Sequence, residues 1–103
     1  MKILYSHSRI TDFIYCLSAD TSDALTRSFN MLQERGHKLR MPHSKSIGYG
    51  LFELRVMSNP QIRVIFGFHE NKAVIVHIFF KKTMQIPRHE MKYAVRMWKS
   101  IVA

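Results

Sequence analysis

The first third of the chain carries two apolar stripes with helical spacing. One stripe recurs at i, i+3, i+4 and i+7 and predicts an amphipathic helix over residues 9–18. The other predicts a helix that begins with Asp20 or Thr21 as its N-cap and ends at Gly36. The short joint between them predicts a helical hairpin, preceded by a first strand over residues 2–6. The two stripes consist of Ile10, Phe13, Ile14 and Leu17, and of Leu25, Phe29 and Leu32.

The rest of the chain changes to the alternation of strands. Residues 37–50 contain Pro42, Gly48 and Gly50 among basic side chains, which predicts a loop. Three strands follow at residues 51–57, 62–69 and 73–80, and the short turns between them predict an antiparallel meander. The last of these strands is almost continuously apolar, which predicts burial on both faces. A final helix is expected to start at Pro87, and its apolar stripe comprises Met91, Ala94, Val95, Trp98 and Val102.

The predicted element order is β-α-α-β-β-β-α, which indicates an α+β fold. In such a fold the helical hairpin covers one face of a small antiparallel sheet. A chain of 103 residues makes one domain, residues 1–103. Its 47% hydrophobic content excludes a disordered basic tail, because that much apolar surface can offset the entropy of ordering the chain.

The charge of the chain is strongly positive and unevenly distributed. Sixteen lysines and arginines against seven carboxylates give a formal +9. Residues 1–34 contribute three basic and four acidic side chains, so residues 35–103 carry the whole excess. This asymmetry indicates a localised basic surface for a polyanion, either nucleic acid or an acidic protein. An evenly solvated, lysine-rich surface is the alternative.

Several other classes of protein are not expected. Cys16 is the only cysteine, so an internal disulfide and a thiolate metal site are both excluded. His89-Glu90 begins like a zinc-protease helix but lacks the second histidine, so neither a metal nor another cofactor is expected. No apolar stretch approaches the roughly 20 residues that span a bilayer, and a signal peptide is not apparent. The expectation is a cytoplasmic protein with no membrane partner.

One constellation of charged residues has the composition of a phosphate site. Glu53 and Arg55 alternate with inward-facing apolar residues of one strand, so they occupy its other face. Arg63 follows the next turn and could lie beside Arg55. Arginine presents a planar fork to two phosphate oxygens, and cations stabilise a pentavalent transition state. A simple Glu53–Arg55 ion pair with solvated lysines is the alternative. The full set comprises Glu53, Arg55, Arg63, His77, Lys81 and Lys82.

Several ordered motifs resemble the RelE/HigB/ParE superfamily of toxins, and the phage-type HigB-like branch in particular. The resemblance covers nearly the whole chain and includes Pro87 and the helix with Glu90 and Ala94. The motifs are Leu39-Arg40-Met41-Pro42, Gly50-Leu51-Phe52-Glu53-Leu54-Arg55, Ile62-Arg63-Val64-Ile65-Phe66 and His77-Ile78-Phe79-Phe80-Lys81-Lys82-Thr83.

The resemblance implies the toxin of a type II toxin–antitoxin system. The implied activity is a metal-independent endoribonuclease that cleaves ribosome-bound mRNA and inhibits translation. A base would deprotonate a 2′-hydroxyl, whose oxygen attacks the adjacent phosphorus, so cleavage would be restricted to RNA. The implied partners are mRNA, the ribosome and a cognate antitoxin, expected to be a small helix-turn-helix protein.

The resemblance also carries roles over to particular positions. Arg55 and Arg63 would hold the phosphate, and Lys82, with Lys81 beside it, would be the cation at the strand end. Glu53 stands where RelE-like members have lysine, and no tyrosine follows Lys82 before Tyr93, so Glu53 and His77 are both candidates for base or acid. For His77 the alternative is a core histidine that is hydrogen-bonded to the backbone. The residues expected to bind RNA lie in the basic loop and are Lys38, Arg40 and Lys45. Two alternatives stay open: a non-enzymatic, ParE-like gyrase inhibitor and a plain basic nucleic-acid-binding module.

Overall fold

A five-stranded sheet forms the centre of the protein, seen in a computed structural model that describes residues 1–103. The strand order is β1-β5-β4-β3-β2. β1 runs parallel to β5, and every other pair of neighbours is antiparallel. The strands are β1 (Lys2–Tyr5), β2 (Ser44–Gly48), β3 (Leu51–Val56), β4 (Ile62–His69) and β5 (Lys72–Phe80).

Three helices pack on this sheet, which confirms the predicted α+β class. They are α1 (Ser8–Tyr15), α2 (Ala19–Arg35) and α3 (Arg88–Val102). α2 ends at Gly36 as predicted, because the backbone there takes a positive φ that glycine tolerates. A single 3₁₀ turn, Gly36–Lys38, follows. None of the helices has the length and hydropathy needed to span a bilayer.

The predicted starts of two helices are wrong by a few residues. Ser18, rather than Asp20 or Thr21, caps α2, because its hydroxyl accepts a hydrogen bond from the Thr21 backbone N–H. Pro87 occupies the cap position just before α3 rather than its first turn. Both differences fall at helix ends, where a single hydrogen bond decides the boundary.

The sheet separates the core into two layers, one on each of its faces. α1 and α2 cover one face of the sheet, as predicted, and bury Leu25, Leu32, Val64 and Ile75 between helix and strand. α3 covers part of the other face, where Trp98 packs with its own cluster. α3 therefore packs on the same face of the sheet that carries the charged residues of β3 and β4.

The predicted loop over residues 37–50 contains a strand, which is a correction. β2 pairs with β3 at the edge of the sheet, with Ser44 opposite Leu54 and Lys45 opposite Glu53. Only Ser44 in β2 is buried, so the strand lacks the apolar alternation by which strands are recognised. Its stability comes from pairing instead, which the Arg55 N–H extends by donating to the His43 carbonyl.

Candidate nucleic-acid interface

The pairing of β3 with β4 puts two arginines directly opposite each other. Arg55 is the register partner of Arg63. The Arg55 N–H donates away from β4, to the His43 carbonyl, so the Arg55–Arg63 pair is of the non-hydrogen-bonded kind, with closely spaced side chains. Like charges in such a pair repel each other and destabilise the sheet. The two cations therefore need a counterion on the same face.

Glu53 is that counterion, and it contacts both arginines. Its Oε1 lies 3.1 Å from Nε of Arg55, and its Oε2 lies 3.6 Å from Nε of Arg63. The Glu53 side chain is only 9% exposed. The predicted proximity of Glu53, Arg55 and Arg63 on one face is therefore present, and it is a three-residue cluster rather than a single cross-strand pair.

Arg63 is buried and fully engaged by the protein. Its side chain is 8% exposed, and its Nη atoms donate to the Ile62 carbonyl and to Oε1 of Gln61, both at 3.3 Å. Burial lowers the pKa of Arg63; the Glu53 carboxylate opposes this shift, and the Arg55 cation adds to it. An arginine remains a cation at neutral pH even so. Arg63 therefore supplies fixed positive charge from beneath the surface.

Arg55 is the arginine that faces solvent. Its side chain is 28% exposed, and only Nε is used, in the bond to Glu53. Its two terminal nitrogens have no partner in the protein. They present the fork that binds two oxygens of a phosphate or carboxylate.

Lys81 and Lys82 lie next to this cluster, as predicted. A narrow pocket is lined by Glu53, Arg63, Lys81 and Lys82, together with residues 83–87. The two lysines also line a wider cavity of about 490 Å³ beside the turn that contains Gln61. The wider cavity is open to solvent, so a charged chain could reach the lysines without the sheet having to move.

Lys45 joins the same face through β2. It is exposed and lies directly opposite Glu53, and side chains of directly opposed residues point to one face. Lys45, Arg55, Arg63, Lys81 and Lys82 thus surround a single carboxylate, Glu53. A surface with that imbalance attracts a polyanion.

A comparison with protein-family models gives one match. Residues 12–99 match the model for phage-derived Gp49-like proteins (DUF891). The chain belongs to this family. Its members are toxin-like proteins of phage origin, and the matched range contains all the charged residues described above. No curated protein matches the sequence of this Gp49-like chain.

His77 lies apart from the arginine cluster of the Gp49-like chain. Its Nε2 is 3.0 Å from Oε1 of Glu90 in α3, and its ring packs against Tyr93 at 4.6 Å between centroids. His77 lines a different cavity, between β5, α1 and α3. Its role as base or acid stays a prediction, and in this structure its polar partner is Glu90.

Lys38 and Arg40, expected to bind RNA, are not brought to this site. Arg40 donates through Nη1 to the His37 carbonyl at 2.9 Å. The His37 ring packs on Phe68, which belongs to the core layer under α1 and α2. Lys38 and Arg40 line neither of the two cavities that Lys81 and Lys82 line, whereas Lys45 lies on the charged face.

Sequence reasoning missed Gln61, which contributes twice to the site. Its side chain accepts a hydrogen bond from Arg63, and its backbone carbonyl accepts one from the Lys81 N–H at 2.8 Å. Gln61 thereby connects the start of β4 to the strand-end lysines. Its spacing of two residues from Arg63 puts both on one face of the strand, and that was the available signal.

Proposed function

We propose that this Gp49-like chain is the toxin of a type II toxin–antitoxin system, in the RelE/HigB superfamily, and that it acts as an mRNA endoribonuclease. The observation that carries the proposal is the free guanidinium fork of Arg55, held by Glu53, whose side chain also lines a pocket with Lys81 and Lys82. A fork with flanking cations suits a phosphodiester. Membership of a toxin-like family makes RNA cleavage the use that fits best.

The reaction is transesterification within the RNA. The 2′-oxygen bonds to the adjacent phosphorus, the bond to the 5′-oxygen breaks, and the products are a 2′,3′-cyclic phosphate and a 5′-hydroxyl end. The proton of the 2′-hydroxyl passes to a base, and the departing 5′-oxygen takes up a proton. The phosphorane gains negative charge at the transition state, so cations fixed around it accelerate the step.

In this proposal the basic residues have different roles. Arg55 grips two non-bridging oxygens through its free nitrogens, and Lys81 and Lys82 contact the phosphate from the cavity side. Lys45 extends the cationic path along β2 for the neighbouring backbone. Arg63 acts as a positioning residue, because its guanidinium is buried and bound to three protein groups. This differs from the expectation that Arg63 itself holds the phosphate.

Glu53 is also a positioning residue in this proposal. Both of its oxygens lie against guanidinium groups, which fixes Arg55 in place before RNA arrives. A preorganised donor costs no rearrangement when the phosphate charge develops.

The proposed partners follow from the same charges. Ribosome-bound mRNA is the substrate, and the antitoxin is a small helix-turn-helix protein with an acidic surface that neutralises the charged face. Co-production with such a protein should abolish toxicity, and the complex should withstand purification.

Induction in growing cells tests the proposed activity. We expect growth arrest together with new mRNA 5′ ends, and both should disappear with Arg55→Ala. Lys99→Ala, an exposed change at the far end of α3, serves as the matched control and should leave both intact. A supercoiling assay with gyrase runs in parallel. Growth arrest with gyrase inhibition and no new mRNA ends would overturn the proposal in favour of a ParE-like inhibitor.

A further inference from the structure

The second half of β5 has an open edge. β1 pairs only with Lys72, Ala73, Val74 and Ile75, and no other strand continues on that side. β5 runs on to Phe80 with β4 on its other side. Residues 76–80 therefore have β4 on one side and no strand on the other.

The hydrogen-bond alternation of the sheet shows which backbone groups are free on this edge. The Lys81 N–H donates to the Gln61 carbonyl, so the opposed pair Phe79–Arg63 is hydrogen-bonded and Ile78 and Phe80 face away from β4. No strand or side chain pairs with the N–H or C=O groups of Ile78 and Phe80. Such a row of groups is a template for an additional strand.

A groove runs along this edge between α1 and α3. It consists of three adjoining cavities of about 430, 430 and 260 Å³. The first two share Arg9 and Phe13, and the third joins them through Phe13 and Phe80. Phe80 is 37% exposed and forms part of the floor. Cavities of this volume can hold a ligand. The long axis of the groove runs along the second half of β5.

The lining of the groove defines the chemistry of its occupant. Ile10, Phe13, Ile78 and Phe80 form an apolar floor. Three cations, Arg9, Arg96 and Lys82, stand at the rim and make no ion pair. The lining also contains two carboxylates, Asp12 and Glu90, and Glu90 is hydrogen-bonded to His77. The unpaired charge at the rim is therefore positive in excess.

We propose that this groove binds an extended segment of a partner protein, which adds to the edge of β5 as a sixth strand. Alternate side chains of the segment are apolar and lie on the groove floor, and those between them are acidic and face Arg9 and Arg96. Backbone hydrogen bonds to Ile78 and Phe80 set its register. Glu53, Arg55 and Arg63 line no part of the groove, and Lys82 is the one cation of the proposed RNA site that does. The added strand would pair with the backbone of Ile78 and Phe80, so its test does not depend on RNA cleavage.

Amide hydrogen exchange read by NMR tests the proposal on the full chain. The probes are acetylated octapeptides in which glutamate alternates with valine, isoleucine or leucine, a length typical of a strand. In the free protein the Ile78 and Phe80 amides have no hydrogen-bond acceptor, so they should exchange faster than the Phe79 amide, which bonds to β4. With a binding peptide, we expect exchange at Ile78 and Phe80 to slow about tenfold or more while Phe79 is unchanged. The same peptides with N-methylated backbones should give no protection.

Charge reversal at the rim supplies the second arm. Arg9→Glu together with Arg96→Glu, both exposed on helix surfaces, should weaken binding about tenfold. Arg35→Glu with Lys99→Glu carries the same charge change away from the groove and should leave binding intact.

Four outcomes would overturn the proposal. These are no protection with any peptide at millimolar concentration, equal binding of the N-methylated peptides, protection that grows with protein concentration alone, and protection by a short RNA in place of the peptides. The third would assign the edge to a second copy of the chain, and the fourth to nucleic acid.

Discussion

Glu53 allows two arginines on neighbouring strands to share one face of the sheet. Arg55 and Arg63 lie directly opposite each other, and the Glu53 carboxylate contacts the Nε of both. Because Arg63 and Glu53 are almost fully buried, water screens their interaction little. The same contacts hold Arg55 with its terminal nitrogens pointing outward. At the scale of the residue, therefore, one carboxylate stabilises the sheet and orients the group that is proposed to bind phosphate.

Replacing Glu53 with glutamine should destabilise the protein. Glu53→Gln keeps the shape of the side chain but leaves buried Arg63 opposite Arg55 with no counterion, and we expect a loss of about 1–3 kcal/mol in the free energy of unfolding. Urea unfolding measures it. The control, Glu34→Gln on the exposed surface of α2, should change stability by less than about 0.5 kcal/mol. Equal losses for the two variants would show that Glu53 is not a needed counterion.

Replacing Arg55 should separate activity from stability. Arg55→Ala leaves the Glu53–Arg63 contact in place, so the melting temperature should stay close to that of the wild type. The cleavage rate should fall about 10²-fold, the size of effect seen when one donor to a transition-state oxyanion is removed. Arg55→Lys should rescue little of it, because an ammonium group lacks the two-pronged geometry. Full activity in the lysine variant would contradict a role for the fork.

Elements with a clear apolar period could be predicted from the sequence, and those without one could not. β4 has the predicted bounds, Ile62–His69, because apolar residues occupy every second position from Ile62 to Phe68 and turn residues flank the segment on both sides. The sequence of residues 37–50 predicts a loop because Pro42, Gly48 and Gly50 interrupt any periodicity, and β2, with a single buried residue, has no apolar alternation to indicate a strand. β2 forms because it can pair with the edge of β3 that β4 leaves free, and that edge exists only once the sheet has assembled.

The candidate site follows the same division. The proximity of Arg55 and Arg63 could be predicted, because a short turn between two strands fixes their register. The burial of Arg63 and the pairing of His77 with Glu90 could not, because both depend on where α3 packs. Local alternation places a side chain on a face, and only tertiary packing decides what covers that face.

The packing of α3 on the sheet depends on Gly67. A Cβ at this position would lie 2.5 Å from the Trp98 ring, so Gly67→Ala should destabilise the protein by about 1–3 kcal/mol. Thermal unfolding measures the loss. In the double variant with Trp98→Phe, the smaller ring should relieve part of the clash, so the combined effect should be less than the sum of the single ones. Strict additivity would mean that the two residues do not compete for the same space.

At the scale of the whole molecule, the +9 charge is concentrated rather than spread. The excess lies entirely in residues 35–103, and the fold gathers five of its cations around Glu53 on one face. Arg63 is buried, so four cations can contact an RNA backbone directly: Lys45, Arg55, Lys81 and Lys82.

The salt dependence of RNA binding should therefore report the number of phosphate contacts. Each phosphate contact to a single strand contributes about 0.7 to the slope of log K against log salt, so four contacts give a slope of about −3. Fluorescence anisotropy with a non-cleavable RNA measures it. Lys82→Gln should reduce the slope by about 0.7, whereas Lys99→Gln, outside the site, should not change it. The same slope for both variants would show that RNA binds elsewhere.

The most direct test of the central claim is cleavage of a message by the purified chain. Wild-type protein and Arg55→Ala are each incubated with ribosome-bound mRNA in a buffer whose magnesium keeps the ribosomes assembled, and the 5′ ends are mapped. A matched message carries a single 2′-deoxy nucleotide at the mapped position. We expect new 5′-hydroxyl ends with the wild type alone, and none at the deoxy position. Cleavage that persists at the 2′-deoxy position, or with Arg55→Ala at the wild-type rate, would contradict the account.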